Sequence, residues 1–360
     1  MSILCNPTLV VASVIIYRFT DSIKTLLEFF ATHDSNRPSS RPCFPFCVIM
    51  LRIAKALAHR RCRTVEGEVV YSELIVIYLF LGGAASGAFL IMSVWSLWFH
   101  SHAQRLHDRR LRMAFRVMKN LVYAVSLLLL LIAIGCLFAD LKVPSKALLL
   151  FTRPRPTPLA FGAFVLAAEA AAGFALMVAN SLRPRQMSGR LKAILEIVCV
   201  IASLAAMTYT AVYLFNQKAV ALWSSPWLIA LFLCSSTSSG ISVVLLCNWF
   251  VQGRTLLLRA ARPLQKIHVA VLVLEAAALF LYAAAVLANP DAASSLALLR
   301  EPALLQTGVV GAVGMGIAAP FVLETYALIC KQWRAIPVSD VICLIGGFCL
   351  RWCLIMGGAH

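Results

Sequence analysis

The chain has 360 residues, of which 61% are hydrophobic and only 13% are charged. Soluble domains average about 45–50% apolar and about 25% charged residues, so this composition excludes an ordinary soluble protein and predicts a polytopic membrane protein. The formal net charge of +17 comes from basic residues spread over short loops between apolar segments. This distribution favours anionic lipid headgroups, and not nucleic acid, as the partner of the basic residues.

Residues 1–65 differ in character from the rest of the chain. The apolar stretch at 3–16 is shorter than the roughly 20 residues that a membrane span needs, and a Pro- and Ser-rich linker follows at 33–45. No basic segment precedes the apolar stretch, which argues against a signal peptide. We interpret residues 1–65 as an N-terminal extension that is poorly ordered or results from a mis-assigned start, with Met50 as the alternative start.

Eight apolar segments follow, each long enough to cross a hydrocarbon core of about 30 Å as a helix. Only helices and closed barrels satisfy the backbone in lipid, and these long runs lack the alternating pattern of barrel strands. The predicted fold class is therefore all-α, with eight transmembrane helices. The predicted spans are residues 70–99, 118–139, 158–182, 193–215, 226–251, 267–288, 303–329 and 338–358.

A small-residue motif in the first span, residues 79–88, returns in the fifth span as residues 231–241. Gly, Ala and Ser let helices approach closely in lipid, so both motifs predict helix–helix interfaces. The second and sixth spans also end alike, at Asp140 and Asn289, which indicates two parallel-related four-helix bundles. The predicted division is 66–252 for the first bundle plus helix five and 253–360 for helices six to eight, with repeat halves at about 70–215 and 226–358.

The basic residues predict the orientation of the spans. Loops after the first, third, fifth and seventh spans are rich in Lys and Arg, as in Arg105, Arg109 and Arg110, and the other loops are poorer. Short basic loops stay cytoplasmic, so both ends of the eight-helix unit should face outward from the cell's inner (cytoplasmic) membrane. Three arginines within residues 60–63, just before the first span, argue for the opposite orientation.

Ionisable and phenolic side chains gather at the predicted outer ends of the helices. Ionisable residues inside membrane segments are costly and are therefore functional candidates. A quinone head group needs hydrogen-bond donors for two carbonyls, a carboxylate that takes up or releases protons, and apolar walls. Interfacial charges and an aromatic belt are the alternative interpretation. The candidate quinone-binding residues are Glu73, Asp140, Arg153, Tyr209, Tyr213 and Arg351.

Four further glutamates lie inside the predicted spans. Glu169 and Glu275 are near the membrane midplane, where desolvation favours the neutral acid, and this suits a proton relay. Glu196 and Glu324 lie closer to the cytoplasmic edge, and we interpret them as structural. For the deeper pair, a simple hydrogen bond to a neighbouring helix is the alternative.

Cofactor signatures are absent from the sequence. The twelve cysteines form no Cys-x-x-Cys pair and lie mostly singly in apolar runs. The seven histidines lie mostly in loops or at termini, so a pair that could hold haem across a bundle is missing. We therefore expect no metal site, haem or iron–sulfur cluster on this chain, and electrons must come from a partner.

Four motifs occur in order along the chain: Glu73 to Gly87, Asp140-Leu141-x-x-Pro144, Tyr209-Thr210 with Leu222-Trp223-x-x-Pro226, and Gly346-Gly347-Phe348-x-x-Arg351. These motifs resemble those of the NrfD-type membrane subunits, the anchor family of polysulfide reductase. The resemblance covers about residues 70–360, and what it implies is a subunit that binds menaquinone or ubiquinone near the outer face. It also implies electron exchange with an iron–sulfur subunit that is coupled to a molybdopterin or multihaem catalytic subunit, in a respiratory oxidoreductase complex. By motif position, Glu73, Asp140, Tyr209 and Arg351 become the quinone-pocket candidates.

Two other functions stay open from the sequence. Parallel repeats with midplane carboxylates also suit a secondary transporter that couples solute movement to protons. A purely structural anchor without a quinone site is the other possibility. Bound quinone in the purified protein would favour the quinone-binding subunit over the transporter and the structural anchor.

Overall fold

The computed structural model describes residues 73–102, 109–140, 158–181, 189–217, 220–251, 254–330 and 338–358. These residues are almost entirely helical and contain no strand. Predictions that concern residues 1–65, and the predicted site residue Arg153, lie outside the described residues. The helices are α1 (Glu73–His102), α2 (Arg109–Asp140), α3 (Pro158–Ser181), α4 (Gly189–Phe215), α5 (Trp227–Trp249), α6 (Arg254–Leu287), α7 (Pro302–Ile329) and α8 (Val338–Met356).

Eight of the described helices are long and apolar enough to cross a membrane, which confirms the predicted all-α polytopic fold. Helices α2, α4 and α6 begin earlier than the predicted spans because each carries a basic first turn or two ahead of its apolar part. Helix α7 contains a π-helical segment, Thr307–Ala318, between two α-helical parts. The sequence did not predict this irregular segment.

The eight helices pack as two groups of four. In the first group, α1 packs against α2 and α4, and α3 packs against both of these helices; α5 to α8 form a similar ring. Because successive helices run in opposite directions, α1, α3, α5 and α7 begin at one end, which we call the Glu73 end. Lys119 lies toward the other end, which we call the Lys119 end.

The two groups meet along α1 and α5, and this seam contains the two small-residue motifs. A Cβ atom added at Gly87 of α1 would overlap the backbone of Ser236, and one added at Gly240 of α5 would overlap the backbone of Gly87. The two helix backbones are therefore in direct contact, as small residues permit in membrane helices. The motifs that suggested a repeat thus face each other across the seam.

The connection after α4 is anchored in the second group. Trp223 is fully buried, and its indole Nε1 donates a hydrogen bond to the carbonyl oxygen of Leu354 in α8 at 2.9 Å. The hydroxyl of Tyr282 in α6 donates to the carbonyl oxygen of Leu222 at 2.9 Å. This connection therefore covers the Glu73 end of the second group and ties α6 to α8.

Candidate functional site

One face of α1 carries a row of hydroxyl groups that point into the first group. Tyr78, Ser86, Ser93 and Ser96 follow one another at intervals of eight, seven and three residues, each close to a whole number of helical turns, so their side chains share a face of the helix. All four are buried. Each has a polar partner on a neighbouring helix, and together they form a polar column that runs the length of the group.

At the Glu73 end of this column, two phenol groups meet. The hydroxyl groups of Tyr78 in α1 and Tyr209 in α4 form a short hydrogen bond. The ring of Tyr209 lies directly over Gly162 of α3, where any Cβ atom would overlap the ring. Three helices thus fix the position of the Tyr209 hydroxyl group. Tyr209 is one of the site residues that the sequence predicted.

Deeper in the column, Glu169 of α3 is fully buried and accepts a hydrogen bond from Ser86 Oγ to its Oε2 at 2.8 Å. Its other carboxyl oxygen, Oε1, has no hydrogen-bond partner among the described residues. A buried carboxyl group with one unused oxygen can hold a proton there or accept another hydrogen bond. This geometry suits the predicted role of Glu169 as a proton carrier.

At the Lys119 end, the column closes with an ion pair. Lys119 of α2 and Glu196 of α4 are both buried and in direct contact. Lys119 Nζ also donates to Ser96 Oγ at 2.6 Å, and Ser96 Oγ donates to Glu196 Oε1 at 2.7 Å. The structural role predicted for Glu196 fits this arrangement, although the sequence analysis did not identify its partner.

Arg351 of α8 lies on the opposite face of α1, in the seam. Its guanidinium group lies over the rings of Phe80 and Phe232, with Cζ 5.8 and 5.4 Å from the ring centroids. It donates hydrogen bonds to Ser235 Oγ at 3.2 Å and to Ser236 Oγ at 2.8 Å. The structure therefore does not bring Arg351 to the Tyr78–Tyr209 pair.

Glu275 of α6 lies near the seam and is 3% exposed. Its carboxyl group lies close to Ser235, Ser238 and Arg351. Its Oε2 atom has no hydrogen-bond partner among the described residues. Glu169 and Glu275 thus belong to different groups of helices and to separate polar clusters.

The second group contains a cluster that the sequence analysis missed. His268 lies well inside α6 and is fully buried, because α6 begins at Arg254 and not near the histidine. Its Nδ1 atom is 2.8 Å from Glu324 Oε1 of α7. The predicted span 267–288 placed His268 at its edge, so its depth in α6 was not predicted, and the interpretation of Glu324 as structural omitted its imidazole partner.

The remaining predicted residues lie at the Glu73 end. Glu73 begins α1, Asp140 ends α2, and both are half-buried. Tyr213 lies one turn after Tyr209 on α4 and is also half-buried. These three residues share an end of the first group with the Tyr78–Tyr209 pair.

Arg351 should tolerate lysine poorly, because an ammonium group cannot reach two serines in a fork while it stacks on two rings. We expect the free energy of unfolding to fall by about 1.5–3 kcal/mol in Arg351→Lys, the range for hydrogen bonds of a charged group. Thermal unfolding of the detergent-purified protein measures this effect. Arg112, which is exposed on α2, provides the matched control as Arg112→Lys, and equal melting temperatures for the two variants would contradict the expectation.

The fold and this polar interior define a multi-pass membrane protein whose buried chemistry consists of hydroxyl, carboxyl and basic groups. A family model described as polysulphide reductase, NrfD, matches residues 64–360, so the chain belongs to the NrfD family. NrfD proteins are membrane subunits of oxidoreductase complexes and work with partner catalytic subunits. No curated protein sequence matches the chain.

Proposed function

We propose that this chain binds menaquinone or ubiquinone at the Glu73 end of its first group of helices. In this proposal, the Glu73 end faces outward from the inner membrane. The chain exchanges electrons with an iron–sulfur partner subunit, which is coupled to a molybdopterin or multihaem catalytic subunit. Membership of the NrfD family supports a role within an oxidoreductase complex, and the polar column supports the position of the site.

The Tyr78–Tyr209 pair carries this proposal. Two phenol groups bring two hydroxyl hydrogens, and their mutual hydrogen bond uses only one of them. The other hydrogen is available to a ligand carbonyl oxygen. A quinone ring carries such oxygens, and the apolar surroundings of the spans suit its isoprenoid tail, so the donor set fits the ligand.

The side chains at the Glu73 end can also accept and release protons. A bound quinone supplies reversible two-electron, two-proton chemistry at its carbonyl oxygens. The Tyr209 hydroxyl orients one carbonyl oxygen, and the half-buried carboxyl groups of Glu73 and Asp140 accept or deliver protons near the surface. Tyr213, one turn from Tyr209, adds a second phenol at the rim.

Two carboxyl groups extend this proton chemistry into the membrane. In the first group, Glu169 accepts a hydrogen bond from Ser86 within the column that leads to Tyr78, and its Oε1 has no partner in the part of the chain that the structure describes. In the second group, Glu275 is close to Arg351, and both are buried near the seam. We propose that Glu169 and Glu275 serve as proton carriers, with Arg351 as the positioning partner of Glu275.

The Tyr209 hydroxyl is the decisive group for a test. In the intact complex, Tyr209→Phe should lower quinol oxidation by about tenfold, which corresponds to the loss of one hydrogen bond of about 1.4 kcal/mol. Tyr282→Phe is the matched control, because Tyr282 is equally buried but donates to a backbone carbonyl oxygen in the second group. Its quinol oxidation should stay within twofold of the wild type.

Two outcomes contradict the proposal in different ways. Unchanged quinol oxidation in both Tyr209→Phe and Asp140→Asn would leave the chain as a structural anchor. Purified protein without extractable quinone that instead shows solute-dependent proton flux in liposomes would indicate a secondary transporter. Quinone extraction followed by chromatography distinguishes a quinone-binding subunit from both of these alternatives before any variant is made.

A further inference from the structure

Three potential metal ligands from three helices converge in the second group. His268 of α6, Glu324 of α7 and Asp340 of α8 each offer a ligand atom, and these atoms all lie within 4.8 Å of one another. All three residues are at most 2% exposed. Ligands held at about 2.1 Å from one tetrahedral ion are about 3.4 Å apart, so small side-chain rotations suffice to place an ion among them.

The groups around these three residues match the outer shell of a metal site. Ser238 Oγ lies 3.2 Å from His268 Nε2, so it can accept the N–H of that nitrogen and leave Nδ1 for a metal. Ser339 Oγ donates to Glu324 Oε1 at 3.1 Å and fixes that carboxylate. Metal-binding histidines and carboxylates are typically oriented by such hydrogen bonds.

Charge also favours a divalent ion at this position. A neutral imidazole, two carboxylates and one divalent cation sum to zero, which suits a site removed from water. In the first group, the corresponding end contains a built-in cation, because Lys119 Nζ contacts Glu196. In the second group, His268 is on α6, the helix that corresponds to α2, so an ion there would take the role of the lysine ammonium group.

The cluster lies where an ion can reach it from water. Asp340 is in the first turn of α8, and Glu324 is five residues, or about 8 Å, before the end of α7. Both positions are at the Lys119 end. An ion therefore does not have to cross the apolar core of the membrane.

We propose that His268, Glu324 and Asp340 bind one first-row divalent ion of the Zn²⁺ class. The bound ion connects α6, α7 and α8 at the Lys119 end. The ion replaces the proton between His268 Nδ1 and Glu324 Oε1. An imidazole nitrogen among oxygen donors selects such ions over Mg²⁺ and Ca²⁺, which prefer oxygen-only sites. This site is separate from the proposed quinone site and does not depend on it.

Metal content after reconstitution tests the proposal. The full-length chain, purified in detergent, is stripped with a chelator, incubated with Zn²⁺, passed through a desalting column and analysed by mass spectrometry for zinc. We expect His268→Gln and Asp340→Asn each to bind about one ion fewer than the wild type. Glu169→Gln, which alters an equally buried carboxyl group in the first group without breaking an ion pair, should keep the wild-type content.

All variants keep the other histidines and the cysteines of the chain, so zinc bound by those residues does not contribute to the difference in zinc content between variants. Equal zinc content in the wild type, His268→Gln and Asp340→Asn overturns the proposal and leaves the His268–Glu324 pair as a proton-sharing contact. If either variant fails to fold, titration of the stripped wild type with Co²⁺ decides. The site is supported if the visible absorption of Co²⁺ saturates, disappears when Zn²⁺ is added, and is accompanied by a metal-shifted NMR resonance of a fully buried imidazole. The lack of that resonance overturns the proposal.

Discussion

Replacement of Gly87 by leucine should prevent the two groups of helices from packing together. Even a Cβ atom at this position overlaps the carbonyl oxygen of Ser236, a backbone atom that cannot rotate away. Helices α1 and α5 must then separate along the seam, and overpacking of this kind typically costs about 1–3 kcal/mol or more. We expect assembled protein in the membrane to fall by about tenfold, as measured by size-exclusion chromatography of a fluorescent fusion in mild detergent.

Gly135→Leu is the matched control for this variant. Gly135 lies in the apolar part of α2, is exposed, and has no atom within 4 Å of an added Cβ. Its assembly should equal that of the wild type. Normal assembly of Gly87→Leu with quinol oxidation alone lost would mean that the motif lines the quinone site and does not hold the seam.

Removal of the ammonium group of Lys119 should produce the second large effect. In Lys119→Met, the carboxylate of Glu196 stays buried without its ion-pair partner, and a broken buried pair typically costs about 3–5 kcal/mol. The volume of the side chain is nearly kept, so a cavity adds little. We expect a much lower temperature of thermal unfolding in detergent.

The double variant Lys119→Met/Glu196→Gln distinguishes charge from packing. Because it removes both charges, it should regain most of the stability that Lys119→Met loses, as a double-mutant cycle would reveal. If the double variant is as unstable as Lys119→Met alone, the effect arises from packing around Tyr123, whose ring centroid lies 5.8 Å from Lys119 Nζ.

Hydrophobicity was sufficient to predict the helices. Each span is a long apolar run, and in lipid such a run has no alternative to a helix. The helix starts were less predictable, because α6 continues through a basic stretch and Pro263 before it reaches the apolar part. Because the predicted span began at residue 267, His268 was placed at its edge, and its depth inside α6 was not predicted.

The candidate site was only partly predictable for a geometric reason. Tyr209 was found from its position near a helix end, but Tyr78 was not, although its spacing from Ser86 and Ser93 marks one face of α1. Which face of a helix meets which neighbour depends on packing that a hydrophobic run does not specify. Arg351 illustrates this point, because depth and motif position grouped it with Tyr209, whereas α1 separates the two.

The seam between α1 and α5 has a consequence for the origin of this architecture. Corresponding small-residue motifs meet there, backbone against backbone at Gly87 and Gly240, which is the form of an isologous contact between two identical subunits. A single four-helix protein with this motif would therefore have been able to form a symmetric homodimer. Fusion of two gene copies would then have required only the short connection through Trp223, and afterwards each copy was free to change. Lys119 in one copy and His268 in the other are the kind of divergence that fusion permits and a homodimer forbids.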